Sequence, residues 1–76
     1  SEYPNPVRDV LNINIPNTVS SEMDFVLYRI TGQEVYKAAL IQGENRINLE
    51  KLSAGIYFYT ISSSIDVIKT KKLIIK

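Results

Sequence analysis

The feature that most constrains this chain is its large number of β-branched side chains. Ile occurs 11 times, Val six times and Thr four times, against three Ala, in a sequence of 76 residues. Stiff β-branched side chains pack well on a pleated sheet and lower the stability of a helix. No helical periodicity of useful length is present. The composition therefore predicts an all-β chain, and its length leaves room for one small domain.

Alternation of apolar and polar residues predicts six or seven short strands. The first covers residues 9–15 and places Leu11, Ile13 and Ile15 on one face. The others cover residues 22–30, 34–40, 46–49, 56–61 and 65–76, with a bend in the last one near Lys69. Short strands at this spacing are typical of a small antiparallel β-sandwich. A sandwich is favoured over a closed barrel because the lysines of the last strand protect an exposed sheet edge, which a barrel lacks.

Turns are predicted where glycines and polar residues interrupt these strands. Residues 31–33 and 52–55 contain Gly32 and Gly55, and both glycines are expected to serve hairpins. Gly32 is expected to adopt the positive φ that a tight hairpin requires. Residues 42–45 form a further predicted turn. These glycines are therefore given a structural role.

The first eight residues predict a stiff, extended lead-in. Pro4 and Pro6 each fix φ and lack an N–H, so this segment is incompatible with a central strand. Asp9 follows the lead-in and is expected to accept backbone N–H bonds there, as in an Asx-turn.

The composition excludes most catalytic chemistry. The chain has no Cys and no His, which removes disulfides, thiolate and imidazole nucleophiles, and the ordinary structural zinc sites. No spacing selects a pair among the eight carboxylates as an acid–base couple, and the three glycines are too far apart to form a phosphate-binding loop. We therefore expect no catalytic residue, no metal and no cofactor.

One strand carries two tyrosines on the same face. Residues 56–61 are apolar on both faces, which predicts a strand buried on both sides or central in a sandwich. Tyr57 and Tyr59 share one of these faces and could stack against sugar rings or bases. Placement in the core with a hydrogen-bonded hydroxyl is the favoured interpretation.

Charge is unevenly distributed along the chain. Residues 1–66 hold five basic and eight acidic side chains, whereas residues 67–76 hold four lysines and no acid. The basic segment fits an edge strand, and a net charge of +1 is too low to favour nucleic-acid binding. No apolar run approaches the roughly 20 residues that a transmembrane helix needs.

Three segments, taken in order, make the chain similar to a known family. The first contains Tyr3, Pro4, Asn5, Pro6, Asp9, Leu11 and Ile13; the second contains Leu27, Tyr28, Gly32, Gln33 and Val35; the third contains Leu52, Gly55, Ile56 and Tyr57, and leads to Lys72, Leu73, Ile74, Ile75 and Lys76. Together they resemble the type A C-terminal sorting domain of the bacterial type IX secretion system. The resemblance covers essentially all 76 residues. One departure is Arg29, where the family often has an acidic or amide residue.

The resemblance implies a non-enzymatic secretion signal. The expected fold is an immunoglobulin-like β-sandwich of about seven strands that forms one domain, residues 1–76, of a larger exported protein. Cargo linked covalently at its N-terminus would pass through the periplasm to the cell surface or medium. The implied partners are the type IX outer-membrane translocon, its shuttle barrel, and a sortase-like cysteine peptidase that cuts at or before Ser1. Cargo would then be released or joined to lipopolysaccharide.

Residues 72–76 are the segment for which we predict recognition by the translocon. The other motif residues are expected to be mainly structural: Tyr3, Pro4, Asn5, Pro6, Asp9, Leu27, Tyr28, Gly32, Gln33, Gly55 and Tyr57. Two other functions stay open. One is an immunoglobulin-like accessory module that binds glycans or spaces domains, for which the rings of Tyr57 and Tyr59 would have to be exposed. The other is nucleic-acid binding by the lysine-rich end.

Overall fold

The computed structural model describes residues 2–3, 8–18 and 22–76, and within them the chain forms seven strands and no helix. The strands are β1 (Glu2–Tyr3), β2 (Val10–Ile15), β3 (Met23–Arg29), β4 (Glu34–Leu40), β5 (Gly43–Asn48), β6 (Gly55–Ser62) and β7 (Val67–Ile75). They form two antiparallel sheets, with strand orders β1-β2-β5 and β4-β3-β6-β7. The all-β prediction is confirmed, with six long strands and the two-residue β1.

Side chains from both sheets meet in one apolar core. Its members are Leu11, Ile13, Ile15, Met23, Phe25, Leu27, Leu40, Ile47, Leu49, Tyr57, Tyr59, Ile61, Leu73 and Ile75. The ring of Phe25 lies at the centre, 5.1 Å from the ring of Tyr59 and 6.2 Å from that of Tyr36, the latter edge-on. The β-sandwich is therefore confirmed, and the face of Leu11, Ile13 and Ile15 predicted for β2 is the face that the structure buries.

Three connections join strands of the same sheet, β1–β2, β3–β4 and β6–β7, and the other three cross between the sheets. Strands β3 and β4 form a hairpin in which Gly32 has φ of 95° and donates its N–H to the Arg29 carbonyl at 2.8 Å. The positive φ predicted for Gly32 is confirmed. The hairpin predicted at Gly55 is wrong, because β5 pairs with β2 in one sheet while β6 pairs with β3 and β7 in the other. Gly55 instead begins β6 after a crossover between sheets.

The turn predicted at residues 42–45 is shorter than expected, because β5 already begins at Gly43. Asn45 lies within β5 and is 8% exposed. Its side-chain oxygen accepts the N–H of Ile41 at 2.8 Å, and its amide nitrogen lies 3.2 Å from the Ile13 carbonyl and 2.8 Å from the Ile41 carbonyl. The Asn45 side chain therefore fixes the end of the β4–β5 crossover onto the three-stranded sheet.

Replacing Asn45 is expected to destabilise the domain through unpaired backbone groups. Asn45→Ala should lower the free energy of unfolding by about 1–3 kcal/mol, because buried backbone groups lose their partner. Urea unfolding followed by circular dichroism measures this change. Asn48→Ala is the matched control, since Asn48 is exposed and its oxygen accepts the N–H of Glu50 at 2.9 Å. Equal destabilisation by both substitutions would contradict this role of Asn45.

Candidate functional site

The predicted recognition segment lies in β7, the last strand of the four-stranded sheet. Leu73 and Ile75 face the core and are 1% and 2% exposed. Lys72 and Lys76 are exposed, and Ile74 is half-buried. The predicted placement of the lysine-rich strand at a sheet edge is confirmed. One segment therefore combines core side chains with a basic outward side.

The two halves of β7 differ in how firmly they are packed. Lys69 pairs with Ile61 and Val67 pairs with Ser62, so Ile68 is an extra residue in the ladder. Such an irregularity bends a strand and increases its twist, which agrees with the bend predicted near Lys69. Every residue from 67 to 72 is exposed, whichever face it lies on. Burial of Leu73 and Ile75 is thus the main apolar anchor of β7.

Tyr57 and Tyr59 belong to the core. They are 2% and 1% exposed, and the Tyr57 hydroxyl donates to the backbone oxygen of Ser53 at 2.7 Å. Core placement is confirmed for both tyrosines, and the predicted hydrogen-bonded hydroxyl is confirmed for Tyr57. Neither ring is accessible to a sugar, so the glycan platform considered for this pair is excluded.

The opposite face of β6 is open. Strand β6 is central, with β3 and β7 as neighbours, as one of the two sequence interpretations predicted. The other interpretation, that both faces of β6 are buried, is wrong, because Ile56 is 48% exposed and Phe58 is 39% exposed. The physical reason is the number of layers: in a two-layer sandwich each sheet has only one covered face.

The remaining motif residues of the four-stranded sheet have two kinds of environment. Leu27 is fully buried in the core, whereas Tyr28, the next residue on β3, points to the opposite face and is half-buried. Gln33 is exposed at the end of the β3–β4 hairpin, where its carbonyl accepts the Arg29 N–H at 2.8 Å. Arg29 lies beside Tyr57, with its guanidinium carbon 6.0 Å from the ring centroid.

The N-terminal motif belongs to the three-stranded sheet. Tyr3 lies in β1, which pairs with β2 at the sheet edge. Asp9 is exposed, and its carbonyl accepts the N–H of Leu49 at 2.7 Å. The lead-in predicted for Pro4, Asn5 and Pro6 lies outside the described residues. The N–H groups of this lead-in, which Asp9 was expected to bind, lie outside them as well. The motif residues are thus divided between the two sheets.

A shallow pocket that the sequence did not predict lies between β4 and the residues at and after the end of β5. Its volume is about 290 Å³, and Val35, Tyr36, Asn48, Lys51 and Leu52 line it. Among the residues that the structure describes, no three acidic, Cys or His side chains are grouped to hold a metal ion. The same part of the chain has no helix long and apolar enough to cross a membrane. The most distinctive surfaces are therefore β7 and the open face beside it.

Comparison with known proteins yields one family. The family model described as "Secretion system C-terminal sorting domain" matches residues 1–76, the whole chain. The comparison with curated proteins gives no match.

Leu73 and Ile74 offer a direct test of the two faces of β7. Leu73→Ala should lower the free energy of unfolding by about 2–5 kcal/mol, because it leaves a cavity in a closed core. Ile74→Ala should cost less than about half as much, since this side chain is already partly in water. Urea unfolding of both variants gives the comparison. A larger loss for Ile74→Ala than for Leu73→Ala would refute the assignment of faces.

Proposed function

The chain belongs to the family of secretion-system C-terminal sorting domains, and from this we propose that β7, with residues 72–76, is the part of the signal that the type IX translocon reads. Membership makes the chain a sorting signal rather than a catalytic domain. It also implies interaction with the type IX machinery and export of the cargo across the outer membrane to the surface or medium.

The position of β7 supports its role in recognition. As the outermost strand of its sheet, β7 offers an edge to which a strand of the receptor can add. Lys69, Lys71, Lys72 and Lys76 are all exposed, and residues 67–76 contain no acid. Attraction between these lysines and an acidic receptor would set the orientation and the rate of docking. This combination of edge position and uniform positive charge is the observation that carries the proposal.

The rest of the proposed pathway concerns the N-terminal boundary. We propose that residues 1–76 act as one domain whose N-terminus is covalently linked to the cargo. The translocon and its shuttle barrel carry the cargo and this domain together. A sortase-like cysteine peptidase then removes the domain on the N-terminal side of β1, and the cargo is released or attached to the cell surface. Strand β1 lies at the edge of its sheet. Cleavage on its N-terminal side therefore leaves the core strands β2, β3 and β6 in place, which supports this order of events.

The accessory-module alternative has lost its most specific support. Its predicted sugar platform required exposed rings at Tyr57 and Tyr59, and both rings lie in the core. A role as a spacer between domains makes a different prediction, because a spacer would not direct a passenger across the outer membrane.

A fusion protein tests whether residues 1–76 are a sufficient signal. We expect a fluorescent protein with an inner-membrane export signal, followed by residues 1–76, to reach the surface or medium of cells with a working type IX apparatus. It should stay in the periplasm of a translocon-deficient strain. Fluorescence in cell, surface and medium fractions gives the result. Periplasmic retention in both strains, with the domain folded, would favour the spacer.

Charge reversal on β7 tests the recognition segment without removing its core residues. Lys72→Glu combined with Lys76→Glu should reduce secretion of the fusion by about tenfold, the effect of about 1.4 kcal/mol of lost binding. Unfolding by urea should be nearly unchanged, because both side chains are exposed.

Arg46→Glu combined with Lys51→Glu is the control for net charge. Both residues are exposed, Arg46 on β5 and Lys51 just after it, and the double substitution changes net charge equally. This control should be secreted like the unmodified fusion. Normal secretion of the β7 variant, or an equal loss in the control, would show that residues 72–76 are not specifically read.

A further inference from the structure

A row of apolar side chains crosses the open face of the four-stranded sheet. The strand register places Ile56 of β6 directly opposite Ile74 of β7. Phe58, two residues along β6, is opposite Tyr28 of β3 on one side and Lys72 of β7 on the other. Side chains directly opposite each other on one face of a sheet are in contact range. We call Tyr28, Ile56, Phe58 and Ile74 the outer patch.

The outer patch is continuous, and core packing does not require it. Ile56 and Phe58 are exposed, while Tyr28 and Ile74 are half-buried on the face turned away from the core. Single exposed apolar residues are normal, but contiguous apolar patches mark interaction sites. Tyr28, Ile56 and Ile74 also lie in two of the three motif segments, and all three are on the face that the core does not use. These side chains are therefore available for contact with a partner.

Charges around the outer patch are positive on the β7 side and mixed on the β3–β4 side. Lys72 flanks Phe58 on β7, and Lys76 lies two residues beyond Ile74. On the far side of the sheet, Lys37 of β4 lies opposite Val26, and two acids share this face, Glu34 opposite Tyr28 and Asp24 on β3. An apolar centre with a basic side along β7 complements a surface that has an apolar centre and carboxylates on the matching side.

We propose that the outer patch is a docking surface for an acidic, apolar-centred protein surface of the type IX export machinery. The inference rests on the proposed function and extends it: the receptor contacts the face formed by β3, β6 and β7 as well as the edge of β7. Apolar contact at Ile56 and Phe58 supplies affinity, and the lysines on the rim supply orientation. Binding energy is then concentrated in a few central side chains.

The shape of the face favours a protein over a lipid surface. The outer patch lies on one face of a sheet, where Thr60 and Thr70 form the next cross-strand pair and place polar side chains beside it; on β3 the face continues with the buried Val26. Two of its four side chains are half-buried, which limits the apolar area that insertion into acyl chains would bury. A flat, partly polar face instead matches the packed centre and polar rim of a protein interface.

Removing the apolar centre tests the inference in secreting cells. Ile56→Thr combined with Phe58→Thr places a residue of high β-propensity at both positions of β6 and should reduce secretion of the 1–76 fusion by about tenfold or more. Ile41→Thr combined with Ile65→Thr is the matched control, because these residues are 67% and 92% exposed outside the patch. The control should be secreted normally. Phe58→Leu, which keeps an apolar side chain, should restore most of the secretion that Phe58→Thr loses.

Folding and function are separated by two measurements. Urea unfolding of each purified variant shows that the domain is folded, and Phe58→Leu covers the case in which the double variant unfolds. If the unmodified fusion is not secreted, the proposed function fails. If it is secreted and the folded Ile56→Thr/Phe58→Thr variant is secreted equally well, the proposed function stands and the outer patch is refuted.

Binding measurements identify the occupant of the face. Labelled 1–76 domain should bind outer-membrane vesicles from translocon-positive cells more strongly than vesicles from translocon-deficient cells. The double variant should lose this difference, and raising salt should weaken it. Equal binding to both vesicle types and to phosphatidylglycerol liposomes would make the occupant a lipid surface. Self-association of the domain that the double variant abolishes, with secretion intact, would make it a second copy. Either outcome overturns the proposal.

Discussion

The whole structure depends on the pairing of β6 with both of its neighbours. On one face, Tyr57, Tyr59 and Ile61 fill the space between the two sheets. On the other face, the same strand presents Ile56 and Phe58 to solvent. Because side chains alternate strictly along a strand, a one-residue slip in this register would exchange the two sets. The register of β6 therefore fixes the core and the outer patch together.

Sequence periodicity predicted the positions of the strands but not the environment of every face. Where one face is polar, as with Asn12 and Asn14 beside Leu11 and Ile13, alternation identifies the buried side directly. Where both faces are apolar, as around Phe58, alternation cannot separate a doubly covered strand from one with an open apolar face. That choice depends on how many layers the fold has, which is a tertiary property.

Two further residues show what local patterns miss. Asn45 is a typical turn residue, but its amide satisfies backbone groups of Ile13 and Ile41, so the structure buries it in β5. Gly55 follows a turn-like sequence, but whether a turn becomes a hairpin depends on which sheet the next strand joins. Gly32 was predictable because its positive φ is a local requirement of the β3–β4 hairpin.

The two roles of β7 limit how its signal can be studied and how it can vary. Leu73 and Ile75 are core residues, so deletion of residues 72–76 removes part of the fold together with the proposed recognition segment. Loss of secretion after such a deletion would not separate recognition from unfolding. Substitutions at Lys72 and Lys76 on β7, or at Ile56 and Phe58 on β6, leave the core side chains in place. The alternation of a single edge strand therefore allows its core side to stay fixed while its outer side changes to suit a receptor.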